Sequence, residues 1–184
     1  MVESNIIRRP VLAGRSALGS SITMTVAAPA TRFILRLDPA SASAVGSAGG
    51  FDVSGPINSV RGSNGKLAVR LGPNEWFLIV EDGEGAALEA AIAASLGDRF
   101  HALVDVSHRN TAVLLSGENV VDVLNAGCPI DLSDAAFAPG SATRTILGKS
   151  EIVLIRPASG DGWRVECWRS FAPYVFEFLT EASR

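Results

Sequence analysis

Three short constellations carry side chains able to do chemistry. Asp105, Ser107 and His108 stand in Val104-Asp-Val-Ser-His-Arg109, the residue types of an acyl-transfer triad. That chemistry needs the serine and imidazole within hydrogen-bond reach of each other. On a strand, positions 107 and 108 point to opposite faces, and no glycine flanks Ser107 to make a nucleophile elbow. Polar side chains capping the end of a strand are the expectation. Gly148-Lys149-Ser150 has the tail of a phosphate loop, but Thr143 stands where the first glycine belongs. A strand-like Glu151-Ile-Val-Leu-Ile155 follows where that motif opens a helix, so a hairpin turn is expected instead. Cys167 shares a strand face with Trp163 and Val165 and reads as a buried, inert thiol. Cys128, between Gly127 and Pro129 at a helix end, has no histidine or basic neighbour to activate it. Two cysteines and two histidines offer no CxxC and no metal-ligand spacing. No catalytic, cofactor-binding or metal-ligating residue is expected in this chain.

Recognition is the remaining chemistry. Trp76, Trp163 and Trp168 are large amphipathic groups, and Trp168 falls on the strand face of Arg164 and Glu166, next to Arg169. Tryptophan and arginine dominate binding hot spots, so Trp168, Arg169 and Trp76 are the interface candidates. A second packed sheet face competes with that reading for the tryptophans.

The elements that position these groups follow from periodicity. Phe33–Leu37, ended by Asp38-Pro39, reads as a strand. Leu67, Val69 and Leu71 alternate with Ala68 and Arg70, and Gly72-Pro73-Asn74 turns into a second strand over residues 75–80. Leu88, Ile92 and Leu96 share one face of a helix over residues 84–96, which Gly97 stops. Strands follow over 101–108 and 111–115, then a helix carrying Val120, Val121, Val123 and Leu124. Residues 143–147 and 151–155 form a hairpin, and 163–168 alternate cleanly. Ser170 is the expected cap of a last helix striped by Phe171, Tyr174, Val175, Phe178 and Leu179. Residues 41–50 read as a loop or weak helix, and residues 1–30 as an extended arm without sustained period. This is an α+β chain with largely antiparallel sheets. It divides into an N-terminal arm (1–30) and two ferredoxin-like helix-on-sheet halves (31–109 and 110–184) forming one compact unit.

Composition bounds the rest. The 184 residues are 47% hydrophobic and 19% charged, with a mean hydropathy of +0.27. That apolar balance excludes a disordered chain, and no uncharged apolar run reaches a membrane span of about 18 residues. The surplus belongs to a core and to a surface that a partner covers. A net charge of −3 argues against a nucleic-acid binder with a broad basic face. The charge is divided: residues 1–70 hold 8 Lys/Arg against 3 Asp/Glu, and residues 71–184 hold 8 against 16. A basic front part can lie against the acidic remainder or an acidic neighbour. Arg8-Arg9 precedes a mild apolar stretch that Pro10, Gly14, Arg15 and Gly19 interrupt, so no secretory signal is read and a cytoplasmic location is expected.

Five motifs in order suggest a kinship: Leu71-Gly-Pro-Asn-Glu-Trp76, Val104-Asp-Val-Ser-His-Arg109, Gly127-Cys-Pro-Ile-Asp131-Leu, Arg169-Ser-Phe-Ala172 with Tyr174, and the opening Arg9-Pro-Val-Leu-Ala-Gly14. Together they resemble the gamma subunits of heterotetrameric sarcosine oxidases over nearly the whole chain. Asp105-Val-Ser-His108, a strand, Ser116-Gly117 and a helix also resemble the folate-binding domain of the glycine cleavage T-protein, which implies a similar fold. The first resemblance implies an accessory, non-catalytic chain. It would support a complex that demethylates sarcosine to glycine, yielding formaldehyde or 5,10-methylenetetrahydrofolate and hydrogen peroxide. It implies alpha, beta and delta subunits as partners, with FAD, FMN, NAD and tetrahydrofolate held by the complex and none by this chain. The isolated chain could then pair with itself. The alternative is a stand-alone folate-binding module of the T-protein kind, with Asp105 or Asp131 as the first carboxylates to test against the pterin.

Overall fold

The computed structural model describes residues 11–18, 22–63, 65–83, 85–158 and 162–184. Arg9 of the opening motif and Glu84, the expected start of a helix, lie outside them. Local chemistry explains the first helix. Asp38 accepts the Ser41 N–H at 3.0 Å and Pro39 supplies a preset first turn, so α1 (Pro39–Val45) forms where a loop or weak helix is expected. The apolar four-residue spacing gives α2 (Gly85–Leu96), with Leu88, Ile92 and Leu96 buried. Two further helices are α3 (Val120–Asn125) and α4 (Ala172–Ala182). Ser170 does not cap α4: the cap position is Phe171, with no side-chain capping bond, and Pro173 sits in the first turn.

In chain order the strands are β1 (Ser16–Leu18), β2 (Thr23–Val26), β3 (Ala30–Leu37), β4 (Ser47–Ala48), β5 (Phe51–Asp52), β6 (Ser59–Ser63), β7 (Lys66–Gly72), β8 (Glu75–Glu81), β9 (His101–Asp105), β10 (Asn110–Ser116), β11 (Ser141–Leu147), β12 (Ser150–Arg156) and β13 (Gly162–Trp168). Eleven of them make one antiparallel sheet, ordered β1-β2-β10-β13-β12-β11-β6-β7-β8-β3-β9, and β4 and β5 pair separately. Two of these strands fall within the stretch read as an arm. Thr23–Val26 is stitched to β10, with Val26 opposite Val113 and Met24 opposite Leu115.

The middle of the sheet is thin. β11 meets β6 through a single pair, Ser141 with Ser59, flanked by main-chain bonds from Val60 to Gly140 and from Ala142 to Asn58. About this seam the sheet curls so that side chains from its two arms pack face to face. Val60, Val69, Phe77 and Ile79 from one arm meet Ala142, Val153 and Ile155 from the other. Each arm buries its opposite face under helices. Leu88 and Ile92 of α2 pack with Phe33, Leu35, Trp76 and Leu78, while Val175 and Leu179 of α4 pack with Val113, Leu154, Trp163 and Val165. Helices on the outside and a curled antiparallel sheet between them are the expected α+β class.

Two glycines let α4 approach the end of α3 and the β11–β12 turn. A Cβ on Gly127 would lie 2.5 Å from the Phe178 ring, and one on Gly148 would lie 2.2 Å from the Tyr174 hydroxyl. Gly148 also has φ +58, a conformation that side-chain-bearing residues seldom adopt.

Candidate functional site

The alternation of β13 places Trp163, Val165 and Cys167 under the helices and Arg164, Glu166 and Trp168 toward the cleft between the two arms of the sheet. There Glu166 is fully buried and meets Arg32 of β3, 134 residues away, in a two-pronged ion pair. Arg32 Nε donates to Oε2 at 2.9 Å and Nη2 to Oε1 at 3.1 Å, while Nη1 donates to the Ala30 carbonyl at 2.9 Å. Arg164 Nε donates to the same carboxylate at 2.8 Å. One carboxylate thus serves two guanidiniums and ties the arms together deep in the fold. Nearer the rim, Glu75 does the same for Arg36 (Nη2 to Oε2, 2.7 Å) and Arg144.

The triad-like residues are occupied locally. The Ser107 N–H donates to Asp105 Oδ1 at 2.7 Å, and Ser107 Oγ accepts the Arg32 N–H at 2.9 Å. Ser107 therefore pins the turn after β9 to β3. Asp131 likewise accepts the Ser133 N–H at 2.9 Å, which holds its carboxyl below the usual range. Gly148 and Lys149 form the hairpin turn between β11 and β12, and the Lys149 N–H donates to the Tyr174 hydroxyl at 3.0 Å. Burial pushes the Cys167 thiol up to about 12, helped by the negative charge of Glu166, and pushes the Cys128 thiol up as well. Both are thereby kept protonated and poorly nucleophilic. His101 Nδ1 donates to the Arg99 carbonyl at 2.8 Å. Among the described residues no group of three His, Cys, Asp or Glu side chains is placed to hold a metal ion.

The interface candidates separate. Trp76 is 1% exposed and packs in the core beneath α2, with the Arg70 guanidinium 4.8 Å from its ring centre. Its position on the helix-covered face of β8 removes it from the exposed set. Trp168 is 43% exposed and meets Phe171, 41% exposed, edge to face at 6.4 Å. The Arg109 guanidinium lies 5.6 Å from the Trp168 ring and donates to Asn110 Oδ1 at 3.1 Å. The neighbouring Arg169 donates its main-chain N–H to the Arg109 carbonyl at 2.8 Å. Trp168, Phe171 and Arg109 thus form a ledge at one mouth of the cleft, while Arg169, next to Trp168 along the chain, lines a separate recess with Arg32 and His108. Phe171 and Arg109 escape notice in the sequence because one reads as the buried stripe of a helix and the other as the tail of a polar motif.

Comparison with known proteins agrees with this architecture. Residues 36–184 match the model of the sarcosine oxidase, gamma subunit family. The chain is 31% identical to sarcosine oxidase subunit gamma of Corynebacterium sp. (strain P-1), over 99% of this chain and 93% of that protein. It is 30% identical, with the same coverage, to the subunit of that name from Arthrobacter sp.. Among solved structures it is similar to a chain of the heterotetrameric sarcosine oxidase of Corynebacterium sp. U-96, solved in complex with pyrrole 2-carboxylate. That match has a TM-score of 0.80 at 25% identity, covering 96% of this chain and 94% of that one. The glycine cleavage system aminomethyltransferase T of Bartonella henselae shares the fold alone, with a TM-score of 0.66 at 12% identity over 88% of this chain and 46% of its own. The chain belongs to the sarcosine oxidase gamma subunit family.

Proposed function

We propose that this chain is the accessory subunit of a sarcosine oxidase and docks on its neighbours through the ledge of Trp168, Phe171 and Arg109, with Arg169 beside it. Membership of the family supports the accessory role, and the exposed aromatic pair with the Arg109 guanidinium against Trp168 is the observation that carries the site. Water gains little from two half-exposed rings, whereas a partner that covers them gains apolar burial and a stacked guanidinium. The partners are the alpha, beta and delta subunits. The chemistry that turns sarcosine into glycine, with its FAD, FMN, NAD and tetrahydrofolate, resides in those chains, in the cytoplasm. The serine, histidine and cysteines of this chain are committed to turns and core, which supports a structural role.

Co-expression with the large subunits is expected to give a stoichiometric, flavin-coloured complex. Trp168→Ala and Arg169→Ala are each expected to weaken it by about 2 kcal/mol or more, measured by titration of the purified subunits. Persistent separation of the wild-type chain on a sizing column would refute the accessory reading, and full-strength binding by both variants would remove the ledge from it. The folate-module reading rests on the shared fold with the aminomethyltransferase. Calorimetry with tetrahydrofolate decides it, since heat or a thermal shift abolished by Asp105→Ala or Asp131→Ala is its requirement.

A further inference from the structure

Among the described residues, one edge of the sheet has no neighbouring strand. β9 is its last strand, paired with β3 on one side only. The Val106 N–H donates to the Arg32 carbonyl. By the alternation of an antiparallel ladder, the main-chain groups of His101 and Leu103 therefore point away from β3, where the sheet ends. Natural sheets blunt such edges with lysine, proline or a bulge. His101-Ala-Leu-Val-Asp105 has none of these residues, and its register with β3 is unbroken. The side chains compound the exposure. Phe100 is 95% exposed and Val104 is 54% exposed, and with Ala102 they share one side of the strand. On that side Val104 stands opposite the partly buried Ile34, and Ala102 opposite Arg36. Ile34 and Trp168 line the same small cleft, so the edge and the ledge adjoin.

We infer that β9 is completed by a strand of a neighbouring oxidase subunit, which covers Phe100 and Val104 and presents a carboxylate to Arg36 and Arg109. The inference rests on the accessory-subunit reading and names the surface on which it acts. Charge supports this occupant. On this face Arg36, Arg109 and Arg144 stand against Glu75 and Glu151, and Glu75 is shared by two of the arginines. One positive charge of this set remains for the incoming strand. A partner strand longer than five residues can cover Phe100 and Val104 and continue toward Trp168. Addition of a strand to an open edge is an established mode of recognition.

The test uses the full chain with its co-expressed large subunits. Phe100→Ser with Val104→Lys changes only exposed positions, and His101→Pro removes an outward N–H without touching the β3 ladder. Each is expected to weaken association at least tenfold while the far-ultraviolet spectrum and melting temperature of the isolated chain stay as in wild type. Ile57→Ser, an exposed apolar residue elsewhere, should bind as wild type. Amide exchange at His101 and Leu103, whose N–H groups point outward, should be fast in the isolated chain and slow in the complex. Exchange that stays fast in an assembled complex, or wild-type binding by the Phe100/Val104 variant, overturns the inference while leaving the accessory role intact. Concentration-dependent protection of His101 and Leu103 in the isolated chain also overturns it, in favour of a second copy. A wild-type chain that never co-purifies defeats the accessory reading first.

Discussion

At the scale of single residues, two buried groups carry energetic consequences. Glu166 is shared by Arg32 and Arg164 with no solvent to replace it. Removing the carboxylate leaves two buried guanidiniums without an anion, so Glu166→Ala should cost about 3–5 kcal/mol in urea unfolding. Replacing the Arg32–Glu166 pair together by apolar residues should recover much of that loss, and a double-mutant cycle reads the difference. Cys167 acts at the other end of the pH scale. Its thiol ionises at about 12 in the fold against 9.0 when free of it. A raised folded value means that the contribution is complete below pH 9 and drains away as pH rises toward 12. By then a contribution on the order of a few kcal/mol is gone. Cys167→Ala should flatten the alkaline limb of the stability profile, and the native thiol should resist a disulfide reagent until the chain is unfolded. The burial of Cys167 is legible in the alternation of residues 163–168, because Trp163 and Val165 share its side. The partner of Glu166 is not legible: Arg32 lies 134 positions away, and no local pattern links them.

At the scale of elements, the strands that the sequence shows are those with apolar alternation or a firm turn. β7 and β8 follow from Leu67, Val69 and Leu71 and the Gly72-Pro73-Asn74 turn, and β11 and β12 from Gly148-Lys149. β6 escapes because Ser59-Val-Arg-Gly-Ser63 has one apolar residue, and only the ladder with β7 makes it a strand. β1 and β2 escape because they are only three and four residues long, β2 taking its order from β10 and β1 from β2. Trp76 shows the limit at a site. Its type fits a hot spot as well as a core, and only the helix over β8 decides. The turn between β11 and β12 also holds α4, through the Lys149 N–H and the Tyr174 hydroxyl. Gly148→Ala would drive a methyl into that hydroxyl at a left-handed position, so a loss of about 1–3 kcal/mol is expected. Tyr174→Phe should relieve part of the clash, a coupling that thermal melts of the two single variants and the double variant will show.

At the scale of the whole molecule, the two arms meet through a thin seam and are clamped by two shared carboxylates, Glu166 within and Glu75 at the rim. The ledge and the β9 edge open at the same mouth, so loss of the complex by Trp168→Ala and by the Phe100/Val104 variant should be less than additive, as expected for residues under one partner. One feature of the topology reaches back to synthesis. β2 lies near the start of the chain, yet its ladder partner β10 spans residues 110–116, and β10 in turn is paired with β13 at residues 162–168. The first arm, β3 with β6 to β9, can close on itself once about 105 residues have left the ribosome. The leading strands cannot find their place until the tail has emerged. During that interval the nascent chain holds a closed first arm and a leading end whose apolar residues, Ile22 and Met24 among them, still lack the sheet that buries them.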